Sequence, residues 1–176
     1  SANPTLAQGE PAVETDTARF KIGDGVNAWT NLKYFPMTLP TSSLLTAPTE
    51  TVTISATAAS GTVNYDALTQ AVVYYTTGGT ALFTLNFRGS STVALNTVLQ
   101  TDQSVTLVFI NTPSAPASYP SVIQIDGTTV TPKWQNGTTP SAGSTGTSPV
   151  DAYTFTIIKT AAGTFTVLAS ATKFGA

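Results

Sequence analysis

From Thr51 to Ser170 the chain is a succession of short runs in which Thr and apolar residues alternate, each cut off by turn-forming residues. No amphipathic stretch of helical period and useful length interrupts them. Residues 51–57 put Val52 and Ile54 on one face and Thr51, Thr53 and Ser55 on the other. Gln70–Thr76 and Ala81–Phe87 flank Thr77-Gly78-Gly79-Thr80 and predict a hairpin. Ser104–Ile110 is the most apolar run and predicts a central strand buried on both faces. Asp126-Gly127 between two alternating runs is the strongest hairpin signal, and Pro132 ends the second of those strands or holds it on an edge. A last hairpin is expected around Ala161-Ala162-Gly163. Residues 93–99 fit a short strand or a helical turn equally, whereas 112–120 and 134–149 read as loops. About eight to ten short strands at regular spacing predict an all-β chain, built as a jelly-roll-like antiparallel β-sandwich.

Composition agrees with that class. Thr supplies 35 of 176 residues, and only 9% are charged, against about 25% in average soluble domains. Thr is β-branched and suits a pleated surface. A net charge of −2 offers no basic field for nucleic acid. The longest charge-free run, 103–125, contains Pro113, Pro116 and Pro120, which excludes a membrane-spanning helix there. A soluble protein without membrane insertion is expected. Seven of the sixteen charged residues fall within 1–35, which marks off an N-terminal module. Prolines at 36, 40 and 48 give 36–49 the character of a semi-extended linker, leaving 50–176 for the sandwich.

Within the module, Arg19 and Lys21 alternate with Phe20 and Ile22, predicting a short strand with one charged and one apolar face. Gly23, Asp24 and Gly25 close a tight turn. Beyond it Trp29 and Leu32 recur at helical spacing, with Tyr34 and Phe35 following. Those nine residues from Phe20 to Phe35 form the candidate docking set. So small a hairpin module has too few apolar groups to offset the entropy of ordering its own chain, so it is expected to dock onto something else.

The order Gly9-Glu10, Asp16-Thr17, Lys21-Ile22-Gly23-Asp24-Gly25, Trp29, Leu32 resembles the N-terminal module of tailed-bacteriophage fibre and tropism-determinant proteins across residues 6–35. Ala18 replaces the usual Gly and implies a right-handed turn conformation. The upstream Arg-Gly-Thr segment of such relatives is missing, as in a trimmed form. Residues 62–176 resemble, more loosely, β-rich structural proteins of phages infecting cyanobacteria. The resemblance implies attachment to other virion proteins, assembly in the host cytoplasm, display on the virion surface, and a homo-oligomer, with a trimer favoured.

Chemistry is sparse. The chain has no His and no Cys, so the commonest general base, metal ligand and thiolate nucleophile are all missing. Paired carboxylates remain open to glycoside hydrolysis, but Asp126 is better explained by its turn. Glu10, Glu14, Asp16 and Asp24 are acidic neighbours without a Ca²⁺-ligand loop. Asn136-Gly137-Thr138 fits a glycosylation sequon by chance. No catalytic residue, cofactor or metal is expected. Trp134 and Tyr119, at loop edges, are the candidates for stacking on a host-surface glycan. The expected function is a non-enzymatic virion structural protein of tail, baseplate or capsid, and the alternative is a receptor- or glycan-binding adhesion module. The 134–149 loop is expected at the surface, with its deletion leaving folding nearly intact.

Overall fold

Alternating Thr and apolar residues make strands almost throughout the computed structural model, which describes residues 3–17, 19–35 and 49–175. The chain divides into two units, Ser1–Pro48 and Thr49–Ala176. Ala18 and residues 36–48 of the expected linker lie outside the described residues.

In the first unit β1 (Pro11–Glu14) and β2 (Arg19–Ile22) form the expected antiparallel hairpin, with Val13 opposite Phe20 and Ala12 opposite Lys21. Trp29–Asn31 forms a single 3₁₀ turn. The chain before β1 lies against the turn after β2. Gly25 donates its N–H to the Leu6 carbonyl at 3.2 Å, and Gly9 donates to Gly23 at 2.8 Å. Gly23 is required by that approach, since a Cβ there would collide with Leu6 and the Ala7 carbonyl.

The second unit is a β-sandwich. Its strands are β3 (Val52–Ser55), β4 (Gly61–Asp66), β5 (Val72–Gly79), β6 (Phe83–Arg88), β7 (Ser104–Pro113), β8 (Pro120–Ile125), β9 (Thr128–Val130), β10 (Lys133–Trp134), β11 (Val150–Ala161) and β12 (Thr164–Phe174), with one helical turn, α1 (Leu95–Val98), before β7. A six-stranded sheet in the order β10-β12-β11-β7-β5-β3 faces a four-stranded sheet in the order β4-β6-β8-β9. Between them lies a core in which Phe87 meets Phe155 at 4.9 Å and Phe83 meets Phe109 at 5.5 Å between ring centroids.

The pairing departs from an antiparallel sandwich. β3, β5 and β7 run parallel in one sheet, and β4, β6 and β8 run parallel in the other. From Val52 to Ile125 the chain thus winds as a flattened coil of three turns, each contributing a strand to both sheets. The expected hairpin at Thr77-Gly78-Gly79-Thr80 is one of these crossings. Thr80 to Leu82, at ~3.3 Å per residue, span the ~10 Å between stacked sheets. Gly78 and Gly79 serve close packing: a Cβ on Gly79 would lie 2.5 Å from the Ser118 hydroxyl, and one on Gly78 2.9 Å from Ser114 Cβ. β4, unrecognised in the sequence, buries Val63 and Tyr65 and exposes Thr62 and Asn64.

Antiparallel pairing returns where the turn chemistry is strongest. Asp126 (φ 51°) and Gly127 (φ 79°) both adopt the left-handed conformation a two-residue hairpin needs. Gly163 (φ 66°) closes β11 onto β12. β7 is central, between β11 and β5, but buries only Leu107, Phe109, Asn111 and Pro113 of one face. The four-stranded sheet covers one side alone, so Val108 and Ile110 on the other are half-buried. Residues 95–98, ambiguous in sequence, are helical because both ends are satisfied from elsewhere. Asp126 accepts the Leu95 and Asn96 N–H groups at 2.7 and 2.9 Å, and Lys159 Nζ donates to the Asn96 and Leu99 carbonyls at 2.6 and 2.9 Å.

Candidate docking face of the N-terminal module

The β1–β2 ladder sorts its side chains onto two faces. On one, Ala12, Glu14, Arg19 and Lys21 stand together; on the other, Pro11, Val13, Phe20 and Ile22. A charged face turned to water and an apolar face turned inward were expected. The structure reverses this at its centre. Lys21 is only 4% exposed, whereas Ile22 is 40% exposed and Val13 63%.

Burying an ammonium costs several kcal/mol unless its charge and its protons are met. Lys21 Nζ donates to the Trp29 carbonyl at 3.0 Å and lies 3.9 Å from Glu14 Oε1. It also sits 4.8 Å from the Trp29 ring centroid and 4.5 Å from that of Tyr34. Cation–π contacts of this kind contribute up to ~2 kcal/mol when desolvated. Tyr34 donates its hydroxyl to Glu14 at 2.8 Å. That bond, with one from Thr17, holds the Glu14 carboxyl below its ordinary range and pushes the Tyr34 phenol up. Trp29 and Tyr34 are therefore walls of a cage around an internal cation. Leu6 and Leu32 are the large apolar side chains buried among the described residues of this unit.

The opposite face is apolar and open. Phe35 stacks on Phe20 with ring centroids 4.9 Å apart and planes at 18°, and Phe35 remains 47% exposed. Val13 and Ile22 lie beside that pair on the ladder. Of the nine candidate docking residues, Phe20, Ile22 and Phe35 share this open face. Trp29 and Tyr34 belong to the cage, Leu32 to the interior, and Gly23, Asp24 and Gly25 to the turn. The sequence reading missed Lys21 and Glu14 as functional supports and Val13 as part of the face. The signal was present in the hairpin register, once Val13 is paired with Phe20.

Asp24 organises the turn. Its Oδ1 accepts the Val26 and Asn27 N–H groups at 2.9 and 2.7 Å, and its Oδ2 accepts Asn27 Nδ2 at 2.6 Å. Bonding from the Asn27 side chain first, then from the Asn27 and Val26 backbone, lowers its pKa from 3.8 to about 2. A depressed carboxylate contributes stability that is fully present above its unfolded pKa and is lost as pH falls through the folded one. The stability Asp24 contributes is therefore lost between about pH 4 and 2, and the Val26 and Asn27 amide resonances of the folded protein are expected to hold steady down to about pH 3 and to shift with a midpoint near pH 2. A midpoint at or above 4 in an NMR titration would contradict this role for Asp24. Two of the other three acidic neighbours have individual tasks too: Glu10 accepts the Ala7 N–H at 2.8 Å, and Glu14 serves Tyr34, Thr17 and Lys21.

Tyr119 and Trp134 are not presented together. Both are half-buried and packed against the sandwich core, Trp134 edge-on to Phe155 at 5.8 Å. Trp134 also lines a cleft of about 310 Å³ with Asn136, Thr138, Pro140, Ser141 and Lys173, and Tyr119 is not part of it. The loop beyond Trp134 folds inward. Gly143 and Ser144 are buried, Gly143 donates its N–H to the Pro116 carbonyl at 2.8 Å, and Ser144 bonds Asp151 through its N–H at 3.0 Å and through its hydroxyl. Asp151 is 1% exposed. Its role, unrecognised in the sequence, is to anchor this loop.

No curated protein and no solved structure matches the chain. The family model described as the major tropism determinant N-terminal domain matches residues 2–27, a span that takes in both ladder strands and the Asp24 turn. The looser likeness of residues 62–176 to cyanobacterial-phage proteins has no such match. In its first 27 residues the chain is thus similar to the N-terminal module of phage tropism determinants, as the Lys21-Ile22-Gly23-Asp24-Gly25 motif indicates.

Proposed function

We propose that the protein is a non-enzymatic component of a tailed-bacteriophage particle, held to other virion proteins by its N-terminal module and displaying the β-sandwich at the virion surface. The observation that carries this reading is the open apolar face of Val13, Phe20, Ile22 and Phe35 on a module with very little interior of its own. Such a face gains stability when a partner covers it, at roughly 25 cal/mol per Å² of apolar surface. The tropism-determinant match over residues 2–27, which include Val13, Phe20 and Ile22, supports the phage context.

Incorporation into particles tests it. The full chain is expected in purified virions, and Ile22→Asp, at a 40% exposed position, is expected to reduce its copy number about tenfold, because an ionised carboxylate would have to be desolvated in the contact. Wild-type incorporation of the variant would show that this face is not the attachment surface.

A second reading, adhesion to a host-surface glycan, is favoured by the polar cleft beside Trp134. A glycan array probed with the full chain separates the two. Specific binding that Asn136→Ala weakens supports adhesion, and an array with no bound glycan leaves the structural role.

A further inference from the structure

The six-stranded sheet has a second face, turned away from the core, which the four-stranded sheet does not cover. Register places Val52, Val72 and Val108 in one row across β3, β5 and β7, with Ile54, Tyr74 and Ile110 in the next. Val52 is 45% exposed and Ile54 66%, and Leu168 and Phe174 on β12 are 44% and 54% exposed on the same side. Between these ends lie Thr154 and Thr156 of β11. Among the described residues Lys133, on the outermost strand β10, is the one charged side chain this face carries. Among the described residues β3 also ends the sheet with an unpaired edge that carries no charge of the kind used to deter pairing.

We propose that this face packs against the same face of a second copy of the chain. The edge strands are short, four residues in β3 and two in β10, and the four strands between them have eight to twelve; at ~4.8 Å between strands and ~3.3 Å per residue the sheet covers about 700 Å². Stable complexes bury about 600–1,000 Å² per partner, so the face is large enough to hold two copies together. Its chemistry selects the partner. Apolar rows on β3, β5 and β7 and apolar side chains on β12, with uncharged Thr between them on β11, are the composition of an interface between identical chains, where like meets like without repulsion and hydroxyls can pair across the symmetry axis. A nucleic acid or a strongly charged protein surface finds no counter-charge here. The proposal stands apart from particle attachment, which uses the other unit.

Sedimentation of the full chain at high micromolar concentration tests it. The wild type is expected to associate, and Ile54→Lys is expected to raise the dissociation constant about tenfold or more, since each interface would have to desolvate an ammonium. Leu68→Lys, at a position 54% exposed in the connection between β4 and β5, is expected to associate like the wild type. Thr154→Lys, at the middle of the face, repeats the test should the edge strand fray in the first variant. A monomeric wild type, association unaffected by both face substitutions, or equal loss with Leu68→Lys would each overturn the proposal.

Discussion

A chain lacking residues 141–147 is expected to lose about 3–5 kcal/mol of stability in the sandwich, the range for removing one partner of a buried charged group. Two effects compete. Shortening a loop changes its closure entropy by less than ~1 kcal/mol, which is why the sequence predicts tolerance. Against this, the deletion removes Ser144, whose N–H and hydroxyl both donate to Asp151. The carboxylate, 1% exposed, would keep only the Tyr153 hydroxyl at 3.4 Å. Without those donors it must draw in water, opening the end of the sandwich. The larger effect decides the outcome. Ser144→Ala, which keeps the backbone donor, is expected to cost about 1–2 kcal/mol. Urea unfolding followed by Trp fluorescence measures both, and a deletion within ~1 kcal/mol of the wild type would show that the loop is an independent insertion.

Phe155→Ala is expected to cost about 3–5 kcal/mol. Phe155 is fully buried on β11, with Phe87 of the opposite sheet at 4.9 Å and Trp134 at 5.8 Å. Truncation would leave a ring-sized void beneath Phe87, whose strand β6 is held between β4 and β8, and beside Trp134 on the edge strand β10, so the Phe87 side of the site has little room to collapse. It would also remove the surface on which Trp134 rests, so indole fluorescence is expected to shift toward that of a solvated ring. A loss below ~1.5 kcal/mol, or an unchanged emission spectrum, would indicate that Trp134 is held by the cleft alone.

Strand content was legible because it is local. Residues such as Val52 and Ile54, or Phe155 and Ile157, are two apart and therefore share a face whatever their neighbours do. Turns were legible where a backbone conformation demands particular residues, as at Asp126-Gly127, where both positions need positive φ. At Gly78-Gly79 the same residue type carried a different meaning. These glycines leave room for Ser114 and Ser118, which are more than thirty residues away in sequence, and no local rule distinguishes that use from a turn.

The same division explains the N-terminal module. Its Arg19–Ile22 strand, its Asp24 turn and its family likeness are written in contiguous residues and stand in the structure as read, whereas the partner strand Pro11–Glu14 was not read. Which ladder face would be covered was not local information. Alternation separates Lys21 from Ile22, but the side to be buried depends on Trp29 and Tyr34 returning over the ladder with Glu14 in reach, and those contacts together offset the desolvation of one ammonium. In the sandwich, alternation and turn residues determine that there are strands and where several of them end. Parallel winding of β3 to β8, the burial of Asp151 beneath its loop and the open outer face of the six-stranded sheet were decided in three dimensions. Each depends on which distant strands share one core, and hydrophobic burial rewards the area covered without regard to chain order.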